Sequence, residues 1–143
     1  MRIMAIDFGD AHTGIAISDP TGLLAGFTTT IHSRKPELVV QEIVRLARER
    51  QVEEFVLGFP KNMDGTDSLR APLYRDFAAL LEKALGKSPV LWDERRTTVD
   101  AHRILFDAGK NGKKRKKTVD AVAASLILEG YLTFRRTQKP PVP

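Results

Sequence analysis

The chain has no cysteine, which removes disulfides, thiolate metal sites and cysteine nucleophiles together. Its three histidines, His12, His32 and His102, are scattered without the spacing of a zinc site. Aromatic residues make up only 7% of it, and no apolar run reaches the length of a membrane span. No signal-peptide pattern precedes the first strand, so a cytoplasmic protein with no membrane partner is expected. Neither a GxGxxG fingerprint nor a GxxxxGK[ST] loop occurs, which argues against dinucleotide binding and a Walker-type ATPase. Ser18 and Ser33 lack the context of a nucleophile elbow. Trp92, inside a strand, reads as core and not as a base-stacking platform.

What is present is an ordinary globular balance: 143 residues, 42% hydrophobic and 29% charged, enough for one domain with a full core. The charge is unevenly placed. Residues 1–94 carry 11 Lys/Arg against 14 Asp/Glu, a balance of −3, whereas residues 95–143 carry 12 against 4, a balance of +8. A field of one sign on the C-terminal third suits a polyanion, of which nucleic acid is the commonest.

Along the chain, RIMAIDFG (2–9), TGIAISD (13–19) and AGFTTTIH (25–32) predict three strands joined by short turns, an antiparallel meander. Pro36 opens a helix carrying Val39, Ile43, Leu46 and Ala47 on one face. EFVLGFP (54–60) is a strand, and KNMDGTDS (61–68) a polar loop. Leu69, Leu73, Phe77, Leu80, Leu81 and Leu85 mark the apolar face of a second helix, closed by Gly86. PVLWDE (89–94) is a strand, and a short helix is expected over about residues 99–108. KNGKKRKK (110–117) reads as a flexible basic loop with six cations in eight residues. Thr118 then caps a final apolar helix over 118–134, followed by a polar, Pro-rich tail expected to be disordered. The order βββαβαβ plus helices predicts a five-stranded mixed α/β sheet, with one domain over 1–135 and a tail over 136–143.

In such sheets ligands bind at the carboxyl ends of the parallel strands. Asp7 closes the first strand there, Asp93 and Glu94 close the fifth, and Asp120 falls in the first turn of the last helix. Each acid alone has an ordinary structural use: a turn contact, a surface ion pair with Arg95 or Arg96, or complementing a helix dipole. Together at one rim they suit Mg²⁺ or Mn²⁺, which take carboxylates, waters and phosphate oxygens. Strand alternation puts Asp93 and Glu94 on opposite faces, so only one of them serves as a direct ligand.

Four blocks carry a resemblance: RIMAIDFGDAHTGIAISDP, VLGFPKNMDGT, LWDERRTT and KKRKKTVDAVAASLILEGYL. In order and spacing, from residue 1 to about 134, they resemble the RuvX/YqgF family of Holliday-junction-resolvase-like nucleases assigned to pre-16S rRNA processing. The resemblance implies an RNase H-like fold, flanked by helices, with sheet order 3-2-1-4-5 and strand two antiparallel. It further implies metal-ion hydrolysis of phosphodiesters by Asp7, Glu94 and Asp120, with Asp93 the rival of Glu94. Arg95, Arg96, Lys113, Lys114, Arg115, Lys116 and Lys117 would hold the nucleic-acid backbone. The expected partner is precursor rRNA or a branched DNA junction, and the chain would act as a monomer or, for a junction, a homodimer. A non-catalytic binding module and an actin-like ATPase rank below these readings. One departure is plain: the family often carries basic residues after its DxG, where this chain has Asp10-Ala11-His12.

Overall fold

Arg2–Asp7 is apolar on both sides of its alternation because it becomes the middle strand of a sheet covered on both faces. The computed structural model describes residues 1–22, 25–93 and 112–138, with backbone alone at 112–120 and 138. The elements are β1 (Arg2–Asp7), β2 (His12–Ser18), β3 (Ala25–His32), α1 (Pro36–Glu49), β4 (Val52–Phe59), α2 (Ala71–Leu85), β5 (Val90–Asp93) and α3 (Gly112–Gln138). The five strands lie in the order β3-β2-β1-β4-β5. β2 is antiparallel to both neighbours, and β1, β4 and β5 are mutually parallel. The expected RNase H-like sheet order and the antiparallel second strand are therefore observed.

Alternation sorts the sheet into two faces. On the first, Met4, Ile6 and Phe8, Ile15 and Ile17, and Phe55, Leu57 and Phe59 pack against α1 and α2. On the second, Ile3, Ala5, Ala16, Val56 and Trp92 pack against Ala124, Ile127, Leu128, Tyr131 and Leu132 of α3. Trp92 is core, as its strand position suggests. Ser18 is structural: its Oγ accepts a hydrogen bond from the Ile3 N–H at 2.8 Å, beside the register shift between β2 and β3.

Two helix expectations need correction. The buried face of α2 is Ala71, Tyr74, Phe77 and Leu81, whereas Leu69 stands fully exposed and Leu73 and Leu80 are 41% and 37% exposed. Pro72 in the first turn starts the helix after Leu69, and the tyrosine ring with its hydroxyl replaces the leucine row as the inward stripe. α3 begins at Gly112, so Lys113–Lys117 form its first turns and not a loop, and Thr118 is helix interior and not its cap. Asp120 accordingly lies in the third turn. Lys and Arg are strong helix formers, and their run extends the helix toward the N-terminus. α3 also continues to Gln138, past the end expected for it. The helix expected over 99–108, together with Glu94, Arg95 and Arg96, lies outside the described residues. Among the described residues no helix is long and apolar enough to cross a membrane.

Candidate functional site

β1 ends at Asp7 in the middle of the sheet, where its register opposite Gly14 of β2 leaves room beside a residue without a side chain. Ile6 and Phe8 face α1 and α2, so alternation turns Asp7 to the α3 face, in line with Ile3 and Ala5. Asp7 is half-buried at the rim.

The turn after it is held tightly. The Phe8 ring stacks on Phe77 with centroids 3.9 Å apart, and the Tyr74 hydroxyl donates to the Phe8 carbonyl oxygen at 2.7 Å. Gly9 runs so close to β2 that a Cβ there would stand 2.3 Å from the His12 carbonyl oxygen, so any side chain would force the backbone apart. Tyr74 and Phe77 thus fix from behind the strand end that presents Asp7. Sequence reading had placed Phe77 in the core but missed Tyr74, whose buried hydroxyl is the informative feature.

Asp10 reaches across to the loop after β4 and pairs with Arg70 at 3.0 Å. That loop is braced internally. The Asn62 N–H donates to Thr66 O at 2.8 Å, Gly65 adopts positive φ, and Asp67 pairs with Lys61 and Arg75. The Arg75 guanidinium, and then the Lys61 ammonium, hold the Asp67 carboxyl below its ordinary range. The β1–β2 turn and the β4–α2 loop, both at the carboxyl edge, are tied by the Asp10–Arg70 pair.

Asp93 sits at the same edge but not on the same face. It pairs in register with Phe59, which faces α1 and α2, while Trp92 beside it faces α3. β4 also separates its strand from β1, a lateral distance of about 10 Å at ordinary strand spacing. The structure therefore does not bring Asp7 and Asp93 together. Among the described residues, no group of three or more His, Asp or Glu is poised to hold a metal.

α3 crosses the second face toward this edge. Near its C-terminal end, the Tyr131 hydroxyl donates to Glu54 Oε1 at 2.9 Å and Arg135 pairs with the same carboxylate, close to the start of β4. Burial and that hydrogen bond push the Tyr131 hydroxyl up to about 12. From there the helix stays packed on the sheet back through Ala124, over β1, β2 and β3. Its earlier residues hence lead to the edge where β1 ends. Position 120 lies one turn before Ala124, two before Ile127 and Leu128 and three before Tyr131 along the same helix. The five consecutive cations at 113–117 occupy the amino-terminal turns of the same helix.

One more pair of polar residues meets at the carboxyl edge. His12 and His32, far apart in sequence, are directly opposite across β2 and β3, with Nδ1 atoms 2.8 Å apart.

Comparison with known proteins places the chain. Residues 1–134 match the family model described as "RuvX: Holliday junction resolvase". A Halothermothrix orenii protein named "Putative pre-16S rRNA nuclease" is 45% identical over 94% of this chain and 96% of its own length. A Carboxydothermus hydrogenoformans protein of the same name is 41% identical, covering 94% and 98%. The fold is similar to that of Thermus thermophilus RuvC solved with a Holliday junction substrate, at TM-score 0.62 and 11% identity over 99% of both chains. Fowlpox virus resolvase, solved with Holliday junction DNA, superposes at TM-score 0.54 with 10% identity, covering 97% and 100%. On the match over residues 1–134 and these relatives, the chain belongs to the RuvX family of resolvase-like nucleases.

Proposed function

We propose that this chain is a divalent-metal-dependent endonuclease that hydrolyses phosphodiester bonds during maturation of the 5′ end of precursor 16S rRNA in the bacterial cytoplasm. The observation that carries the proposal is the place of Asp7, at the carboxyl end of the central strand, on the sheet face toward which α3 brings position 120. The relatives' names supply the substrate.

Asp7, Glu94 and Asp120 are the assigned metal-holding residues. The donor set fits Mg²⁺ or Mn²⁺, since all three offer hard carboxylate oxygens. Glu94 is chosen over Asp93 because Asp93 shares the face of Phe59, under α1 and α2, and not the face of Asp7. Bound there, the metal would acidify a water and stabilise the leaving oxygen. The chain's own part is to aim and to gather. Tyr74 and Phe77 lock the turn behind Asp7, so its carboxylate is presented without reorganisation. Arg95, Arg96 and Lys113–Lys117 draw the phosphate backbone to this rim. Cations at the amino end of α3 add to the positive end of its dipole, which costs helix stability and raises the attraction for a polyanion.

The deciding experiment is a cleavage assay with a labelled precursor 16S rRNA 5′ segment and a four-way DNA junction, with and without Mg²⁺. Metal-dependent RNA cleavage that disappears in folded Asp7→Asn is expected. Cutting of the junction alone would move the substrate to branched DNA, and unimpaired cleavage by Asp7→Asn would remove the nuclease assignment.

A further inference from the structure

The carboxylate centre makes no use of His12 and His32. They open β2 and close β3. Ile15, Ile17 and Ile31 point to α1 and α2, so alternation turns both histidines to the α3 face, the face of Asp7. The backbone beneath them is fixed from two sides. The Ser33 N–H donates to the Ala11 carbonyl at 3.0 Å, and Gly9 abuts the His12 carbonyl. The rings stand edge to face, with centroids 4.9 Å apart at 82°, and the contact between them is exposed to solvent.

At an Nδ1–Nδ1 separation of 2.8 Å, the two facing nitrogens cannot both hold protons. One donates, and the lone pair of the other accepts. Without that proton, two imidazole lone pairs converge on one point. A Zn–N bond of about 2.0–2.1 Å and a tetrahedral angle place two such nitrogens roughly 3.3–3.4 Å apart. Small rotations of the two rings, His32 exposed and His12 half-buried, on a fixed strand pair cover the difference. Imidazole nitrogen prefers Zn²⁺, Ni²⁺ and Cu²⁺, whereas Mg²⁺ prefers oxygen.

We propose that His12 and His32 form a two-imidazole binding site for a borderline transition-metal cation of the Zn²⁺ or Ni²⁺ type, distinct from the carboxylate centre. Asp7 lies one strand over on the diagonal, about 7–8 Å away between Cα atoms. Among the described residues it does not combine with the histidines into a three-ligand group. Water completes the coordination, so the site is open to exchange. It differs from the carboxylate centre in donor type, and each site keeps its own cation.

The test is titration of the untagged, metal-stripped full chain with Ni²⁺ and with Zn²⁺ near neutral pH. Heat is followed by calorimetry, and the ring nitrogens by ¹⁵N NMR of labelled histidine. One ion per chain is expected, with the Nδ1 resonances of His12 and His32 both moving. His12→Phe and His32→Phe should each weaken binding by about tenfold or more. His102→Phe and Asp7→Asn should leave it unchanged, and a millimolar excess of Mg²⁺ should not displace the ion. Two unmoved Nδ1 resonances, or an isotherm indifferent to His32→Phe, would make the contact a hydrogen bond only and overturn the site. Binding lost in Asp7→Asn would overturn it equally, because the ion would then sit on the carboxylates.

Discussion

The two faces of the sheet are built from different residues. The face under α1 and α2 is filled by large side chains, with Phe8, Phe55, Phe59, Tyr74 and Phe77 packed among Ile and Leu up to the rim. The face under α3 is floored by Ala5 and Ala16, meets Ala124 of the helix, and carries Asp7, His12 and His32 at its carboxyl edge. Small residues let a helix approach a sheet closely, and a rim kept free of large apolar groups leaves room for polar ones. One face holds the strands in place. The other uses the ends so fixed.

This contrast can be broken from either side, and the largest effect should come from the α3 face. Asp7→Asn is expected to lower turnover by at least about a thousandfold, about 4 kcal/mol of transition-state stabilisation. Its thermal unfolding should stay close to wild type, and a matching loss of stability would instead put Asp7 among the structural residues.

The α1/α2 face should respond in the opposite sense. Phe77 is almost fully buried and stacks on Phe8. Phe77→Ala should cost about 3–5 kcal/mol in denaturant unfolding. Residual folded protein should still bind RNA, since the change leaves the cations of α3 in place.

A smaller effect is expected from the basic turns of α3. Replacing Lys113, Lys114, Arg115, Lys116 and Lys117 with Gln should weaken RNA binding and flatten its salt dependence. Each lost phosphate contact on a single strand lowers the slope of log K against log salt by roughly 0.7. Turnover at saturating RNA should fall much less. Binding titrations at three salt concentrations measure the slope, and an unaltered slope would take these residues off the substrate path.

The smallest effect belongs to the loop that braces the edge. The Asp67 carboxyl is held below its ordinary value by Arg75 and then Lys61, so its ionised form favours the folded chain. That contribution is complete above its ordinary range and is lost as pH falls through the lowered value, that is, below about pH 4. Asp67→Asn should therefore flatten the acid limb of Tm against pH and change little near neutrality. An identical acid limb in the variant would show that the pair contributes nothing.

Much of this architecture could be read from pattern. The meander, the parallel strands separated by helices, and the acids at strand ends follow from alternation and from where apolar runs stop. Counting leucines failed for α2, because Leu69 precedes the helix and Tyr74 supplies the inward contact with its ring and hydroxyl. The start of α3 was misplaced because Thr118 carries a strong capping signal that a run of good helix formers overrides. The His12–His32 contact has no local signature at all. Only the pairing of β2 with β3 brings the two rings together, and ligand spacing along the chain does not register a cross-strand pair. The partner of Asp10, Arg70, has no local signature either, because it is set by the loop after β4.

The proposed nuclease centre needs its carboxylates on the α3 face, with Asp7. That placement is tested most directly by comparing Asp93→Asn with Glu94→Gln in RNA cleavage at saturating Mg²⁺. Asp93, in register with Phe59, belongs to the other face. The expected result is a Glu94→Gln protein that has lost most of its turnover beside an Asp93→Asn protein that keeps it. An inactive Asp93→Asn with an active Glu94→Gln would contradict that placement.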